Sequence, residues 1–118
     1  MTAAATEPMI ETELWVSFVS MLRSYAAAAS LHAGAVHVSM TTENTVTITS
    51  GATQLEMNFA PQSSLIHWTK RTGSHPPITG SFAIEPEGAV RIDGVSRDLD
   101  HAAIDFIASV TDSAKGGA

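Results

Sequence analysis

Residues 45–59 read TVTITSGATQLEMNF, and this stretch decides the fold. On both sides of Ser50-Gly51, large apolar residues occupy every second position and polar residues fill the positions between them. Because successive side chains of a strand point to opposite faces, the pattern predicts two strands, each with one apolar and one polar face. The link at Ser50-Gly51 is too short for a crossover helix, so the two strands are expected to pair antiparallel.

The same alternation recurs on either side of this hairpin. It predicts further strands around Val36–Met40, Ile66–Thr69, Ile78–Ile84 and Val90–Ile92, joined by short polar links. Five or six strands with one apolar face each describe an antiparallel meander that is covered on one side. The longest link, Gly73–Pro77, contains a Pro-Pro pair.

Two amphipathic helices flank the predicted meander. Apolar residues recur at spacings of three and four over Leu14–Ala29, with Thr12 as the N-cap and Gly34 as the stop. A second such pattern covers Leu99–Val110, with Asp98 as its N-cap. The predicted fold is therefore α+β: a long N-terminal helix, a five- to six-stranded antiparallel β-meander and a C-terminal helix, with both helices packed on one face of the sheet.

The chain has 118 residues, a common size for one domain. We expect a flexible N-terminal arm at residues 1–11, the folded α-β(5–6)-α domain at 12–111, and a flexible tail at 112–118. The predicted core combines the apolar strand positions with the helix residues that face them: Val36, Val38, Val46, Ile48, Leu55, Met57, Phe59, Ile66, Trp68, Phe82, Ile84, Val90 and Ile92, against Leu14, Phe18, Leu22, Tyr25, Ala103, Phe106, Ile107 and Val110.

Composition narrows the possible functions. The absence of cysteine excludes a disulfide framework, a thiolate zinc site and a cysteine nucleophile. Six Lys and Arg against twelve Asp and Glu give a net charge of −6, and Lys70-Arg71, the only adjacent basic pair, is typical of a solvated strand end. We therefore expect no nucleic-acid partner. Residues 14–32 contain four serines and Arg23, which makes a poor membrane span, and the N-terminus lacks signal-peptide features. We expect a cytoplasmic protein without a membrane partner.

No pattern of residues predicts a metal or catalytic site. His37 and His67 share a polar face but lie on the first and fourth strands, about 14 Å apart, which is too far for one zinc ion. Arg97, His101 and Asp105 are spaced four apart on the second helix, and a solvated polar stripe explains them better than a His–Asp dyad. Glycine-rich phosphate loops, G-x-S-x-G and H-E-x-x-H are absent. We predict no catalytic residue, metal or cofactor.

The first helix has an unusual solvent side. Where a surface helix of an acidic protein carries Glu and Lys, this helix has small uncharged residues, and the second helix has an apolar residue outside its core stripe. Such a surface favours a non-catalytic interaction or scaffold domain that self-associates as a homodimer, with another protein as the alternative partner. The predicted interface residues are Ser17, Ser20, Ser24, Ala27 and Ile104.

The alternative function is a small-molecule binding protein or an enzyme, with a cavity between the helices and the sheet near the Gly73–Pro77 loop. Function concentrates on such loops, and aromatic and imidazole side chains are frequent ligand contacts. The predicted ligand-binding residues are Tyr25, Trp68 and His75. A filled core would favour the interaction module instead.

In size, acidity and helix-flanked sheet, the chain is similar to the dimeric chaperones of type III secretion. Those chaperones interrupt their strands with a middle helix, and the connection Ala60–Ser64 is too short for one. The resemblance concerns architecture alone and implies no residue roles.

Overall fold

The computed structural model describes the backbone of residues 2–33 and 35–116 and the side chains of residues 12–31 and 35–111. It confirms the α+β class and the antiparallel meander between two helices. The predicted helix stop Gly34 lies outside the described residues. The elements, in chain order, are α1 Thr2–Ala33, β1 His37–Thr42, β2 Thr45–Ser50, β3 Thr53–Ala60, β4 Leu65–Thr72, β5 Ile78–Glu85, β6 Ala89–Ile92, β7 Val95–Asp98 and α2 Leu99–Gly116.

The strands pair in chain order, and every neighbouring pair is antiparallel. In the hairpin of β2 and β3, Ile48 lies opposite Leu55 and Val46 lies opposite Met57. Cross-strand partners share a face of the sheet, so this register gathers the apolar residues on one side. The prediction from residues 45–59 is confirmed.

The sheet has seven strands, so the predicted count of five or six is wrong. β7 follows β6 through Asp93-Gly94, whose φ angles of 53° and 79° are those of a two-residue hairpin turn. The pattern of apolar residues predicts that the sheet ends at this turn, because Val95 is the only large apolar residue of β7. All four β7 residues are exposed, and such an edge strand gives no alternating signal.

Both helices extend beyond their predicted bounds. α1 begins at Thr2, well before the predicted N-cap Thr12, and α2 continues to Gly116. The alanine run near the N-terminus has high helix propensity, which favours the longer helix. The helical backbone thus includes most of segments 1–11 and 112–118, whose flexibility stays a prediction.

The core lies between the helices and the apolar face of the sheet. α1 contacts α2, β1 and β5, so it buries side chains over a wider part of its circumference than one narrow row of residues. The predicted core residues that are only partly buried are Leu14, Tyr25, Val38, Trp68, Ile92 and Phe106. The buried apolar residues that the prediction omitted are Trp15, Val19, Ala26, Leu99 and Ala102.

Aromatic contacts attach both helices to the same face of the sheet. The ring of Phe82 on β5 lies 5.9 Å from that of Phe18 on α1 and 5.1 Å from that of Phe106 on α2, measured between centroids. At the turn between β1 and β2, the indole N–H of the fully buried Trp15 donates a hydrogen bond of 2.9 Å to the main-chain oxygen of Glu43. The predicted placement of the helices on one face agrees with these contacts.

Candidate functional site

The solvent side of α1 carries two exposed apolar side chains. Val16 is 57% exposed and Leu31 is 80% exposed. The exposed residues Ser20, Ser24 and Ala27 lie between them. At about 100° per residue, these five side chains project within an arc of about 80°, and none of them carries a charge. We call these five residues the α1 face.

All of the predicted interface residues are exposed, as a contact surface requires: Ser17, Ser20, Ser24, Ala27 and Ile104. Ile104 is 39% exposed on α2 and lies one turn after Asp100, which accepts a hydrogen bond from Tyr25 of α1. The structure thus brings Ile104 to the side of α2 that borders α1.

Sequence reasoning missed Val16 and Leu31. About four helical turns separate them, which returns both to nearly the same side of α1. Both are apolar residues that lie outside the core-facing side of the helix. The sequence indicates such a surface when apolar residues and a lack of charged residues occur together on the solvent side.

The segment Thr12–Leu31 of α1 is long and apolar enough, by length and composition, to cross a membrane. In the structure this segment supplies Trp15, Phe18 and Leu22 to the protein core, each with 0% exposure. Its apolar character therefore has two sources, the buried core side and the α1 face.

Tyr25 lies at the seam between α1 and α2, where its hydroxyl donates a hydrogen bond to Asp100 Oδ1. This bond raises the pKa of Tyr25 above its ordinary value, because the carboxylate stabilises the protonated phenol. Desolvation and repulsion from the Asp100 charge act in the same direction. Tyr25 is thus engaged in joining the helices.

A cleft of about 300 Å³ opens between α2 and the sheet. This volume is at the small end of ligand pockets, which span about 300–1,000 Å³. Among the predicted ligand-binding residues, Trp68 lines the cleft, whereas Tyr25 and His75 do not. The lining residues are Leu55, Trp68, Lys70, Ile92, Arg97, Asp105, Phe106 and Ser109.

Gly80 makes room for the indole of Trp68 in this cleft. The two residues are paired across β4 and β5, and a Cβ atom on Gly80 would lie 2.5 Å from Cζ2 of the indole. Because Gly80 has no side chain, the indole can cover the backbone of β5. Its ring meets the ring of Phe106 edge-on, with centroids 6.3 Å apart. The two aromatic side chains form an apolar wall.

Two cations and one carboxylate border the cleft. Lys70 reaches α2 from β4, and its Nζ donates hydrogen bonds to Ser109 Oγ at 2.9 Å and to the main-chain oxygen of Ser109 at 3.2 Å. Arg97 on β7 forms an ion pair of 2.7 Å with Asp105 on α2. The Asp105 charge is therefore matched by Arg97, whereas both of these Lys70 hydrogen bonds go to neutral oxygens.

Sequence reasoning also missed Lys70. It follows Ile66 and Trp68 at a spacing of two and so shares their face of β4, which packs against the helices. As part of the Lys70-Arg71 pair it suggests a solvated strand end, but the alternation places the two side chains on opposite faces. The alternation of faces along β4 was the feature of the sequence that could have identified Lys70.

The predicted polar stripe Arg97–His101–Asp105 does not form on one helix, because Arg97 belongs to β7. Asp105 pairs with Arg97, and Nδ1 of His101 lies 3.6 Å from Oδ2 of Asp98. His101 therefore faces Asp98 rather than Asp105. All four side chains are exposed, as predicted for a solvated cluster.

The remaining histidines are distributed over the sheet. His75 lies in the exposed loop between β4 and β5, with its Nδ1 3.1 Å from the main-chain oxygen of Thr72. His37 is on β1 and His67 on β4, with two strands between them. Within the ranges whose side chains are described, no three His, Asp or Glu residues cluster in a way that could hold a metal ion.

Comparisons with protein-family models, curated proteins and solved structures gave no match for this chain. The α1 face and the cleft are therefore the two candidate sites of the described structure. The two surfaces are distinct, because Ile104 and the cleft residues Phe106 and Ser109 point to different sides of α2.

Proposed function

We propose that the protein is a non-catalytic interaction module that forms a homodimer through the α1 face. The observation that carries the proposal is the exposure of Val16 and Leu31 at the two ends of a strip of small uncharged residues. Single exposed apolar residues are normal on protein surfaces. Two of them favour a contact surface when they lie on one helix side and the residues between them in the same arc are uncharged. The exposed Arg23 projects about 20° outside that arc, at the edge of the surface.

When two copies of α1 pack antiparallel, the α1 face of one copy is complementary to that of the other. A two-fold axis that crosses α1 beside Ser24 brings Val16 of one copy opposite Leu31 of the other, twice in the same dimer. Ser20 of one copy then lies opposite Ala27 of the other. Ser20, Ser24 and Ala27 near the crossing are small, so the helix backbones can approach closely there, with the exposed Arg23 at the edge of the contact. One patch serves both subunits, as two-fold symmetry requires.

The size of the contact sets its expected strength. Val16 and Leu31 are about 22 Å apart along the helix at 1.5 Å per residue. Ile104, on the side of α2 that borders α1, extends the apolar area. A contact made by one side of a single helix and one residue of α2 is small for a specific interface. We therefore expect weak association, with a Kd of about micromolar.

We also propose a cytoplasmic location. The residues that give α1 its apolar character include Trp15, Phe18 and Leu22, which pack against the sheet and would leave the core if the helix crossed a membrane. The absence of cysteine fits a reducing compartment.

The absence of cysteine also makes cross-linking a direct test of the arrangement. Ser24→Cys lies beside the axis and should give disulfide-linked dimers under mild oxidation, because the two sulfur atoms come within bonding reach. Val16→Cys and Leu31→Cys should each fail to cross-link alone but should cross-link when mixed. Non-reducing electrophoresis with mass spectrometry reads the result.

The matched control is Ser74→Cys in the exposed loop between β4 and β5, which should give no disulfide-linked dimer under the same oxidation. If Ser24→Cys cross-links no faster than Ser74→Cys, the α1 face is not the interface. If Val16→Cys cross-links alone as fast as in the mixture, the antiparallel register is wrong.

Small-molecule binding is a second candidate function, and the cleft beside Trp68 is the observation that favours it. It is compatible with dimerisation, because the cleft and the α1 face lie on different sides of the helical layer.

A further inference from the structure

We infer that the cleft between α2 and the sheet binds a small amphipathic carboxylate. Its apolar body would lie against Trp68 and Phe106, and its carboxylate would meet the ammonium group of Lys70. This inference concerns the second candidate function and is independent of dimerisation through the α1 face.

The walls of the cleft favour an apolar ligand body. Trp68, Ile92 and Phe106 line it and are only partly buried, so part of their apolar surface stays in contact with water. A ligand in the cleft would remove that surface from water, at a gain of about 25 cal/mol per Å². The volume of about 300 Å³ restricts the ligand to a short alkyl chain or a small ring system.

The charges at the cleft favour a single negative group on the ligand. Lys70 and Arg97 supply two positive charges, and Asp105 supplies one negative charge that already pairs with Arg97. In the part of the chain whose side chains are described, no carboxylate lies within ion-pair distance of Lys70. Among the described side chains, one cation without an ion-pair partner therefore lies beside the apolar wall, in a protein whose net charge is −6.

A carboxylate can accept a charge-assisted hydrogen bond from this ammonium group. Lys has three N–H donors, and the bonds to Ser109 Oγ and to the main-chain oxygen of Ser109 use two of them. Among the described groups, the third donor has no acceptor and is available to a ligand oxygen. Such a bond is about twice as strong as one between neutral groups, so the charge on the ligand should decide its affinity.

The test compares three ligands of equal length and different charge: octanoate, 1-octanol and octylammonium. The full chain contains two tryptophans, and their indole N–H signals can be followed separately by NMR. Octanoate should move the Trp68 signal and leave that of the fully buried Trp15 in place. It should bind about tenfold more tightly than 1-octanol, and octylammonium should bind most weakly.

Lys70→Met removes the charge at nearly constant side-chain length. It should weaken octanoate binding about tenfold and 1-octanol binding much less, because the hydroxyl of 1-octanol carries no charge for Lys70 to attract. Retained binding of 1-octanol also shows that the cleft is intact. Arg71→Met removes a charge from the opposite face of the same strand and should change neither ligand. Ser109→Ala keeps the Lys70 charge and should bind octanoate at least as tightly as the native protein.

The inference is overturned if octanoate binds no more tightly than 1-octanol to the native protein. It is also overturned if Lys70→Met and Arg71→Met have equal effects, or if neither octanoate nor 1-octanol moves the Trp68 signal. Because the first comparison uses the native chain, it decides the matter even if Lys70→Met fails to fold.

Discussion

At the scale of single residues, the side chain of Thr53 places a hydroxyl group in the apolar core. The residue is 1% exposed, and its Oγ1 has no hydrogen-bond partner among the described residues. Thr53→Val keeps the shape of the side chain and removes the unsatisfied group, so it should raise the free energy of unfolding by about 1 kcal/mol. Urea unfolding followed by tryptophan fluorescence measures the change.

Thr47→Val is the control for this substitution, because Thr47 belongs to the polar face of the sheet and its replacement should be nearly neutral. A loss of stability of about 1 kcal/mol or more in Thr53→Val would show that the hydroxyl makes a hydrogen bond in solution.

Tyr25 gives a prediction about pH at the same scale. It is the only tyrosine of the chain, so the ultraviolet absorbance of tyrosinate reports on it alone. Its hydrogen bond to Asp100 raises the pKa in the folded state. The stabilisation is therefore complete below the ordinary tyrosine pKa and is lost as the pH rises through the raised value.

Asp100→Asn removes the negative charge and should move the Tyr25 pKa back toward its ordinary value. Alkaline titration of both proteins measures the difference. Identical titration curves for the native protein and Asp100→Asn would mean that the hydrogen bond at the α1–α2 seam does not form in solution.

At the scale of elements, the aromatic side chain of Phe106 contributes more than any polar contact to the attachment of α2. Phe106 touches the rings of Phe18, Phe82 and Trp68. Phe106→Ala should cost about 3 kcal/mol of stability, whereas Ile104→Ala on the solvent side of the same helix should cost less than about 1 kcal/mol. Chemical denaturation of both variants tests this prediction. An equal loss of stability in the two variants would mean that α2 does not turn Phe106 toward the core and Ile104 toward solvent.

The elements also show which parts of the fold are predictable. β2, β3 and residues 66–69 of β4 alternate apolar and polar residues, so the existence, pairing and buried face of these strands follow from the sequence. β7 was not predictable from this alternation, because a short exposed edge strand buries no large apolar side chain. Asp93-Gly94 was the remaining signal, since this dipeptide is typical of two-residue hairpins.

The cleft shows why a site is harder to predict than a strand. Trp68 and Lys70 are neighbours on one face of β4, which the sequence indicates. Arg97 and Asp105 join them from β7 and α2, and that approach depends on how the sheet curves around the helix. Alternation along a strand carries no information about curvature, so the sequence predicts Trp68 but not its companions.

At the scale of the whole molecule, charge and surface pattern act together on self-association. Each copy carries a net charge of −6, so two copies repel each other at a distance. Salt screens this repulsion, while the apolar contact at the α1 face is little affected. Dimerisation should therefore strengthen as the ionic strength rises.

In the proposed homodimer, the α1 face joins two copies of the chain. Sedimentation equilibrium from micromolar concentration to about 100 µM tests this contact most directly, with Ser20→Glu as the disrupting variant and Ser74→Glu as the control. We expect the native protein and Ser74→Glu to approach twice the chain mass of 12.4 kDa, and Ser20→Glu to stay at 12.4 kDa with nearly native stability. A native mass of 12.4 kDa at every concentration, or dimerisation of Ser20→Glu at native strength, would contradict the claim.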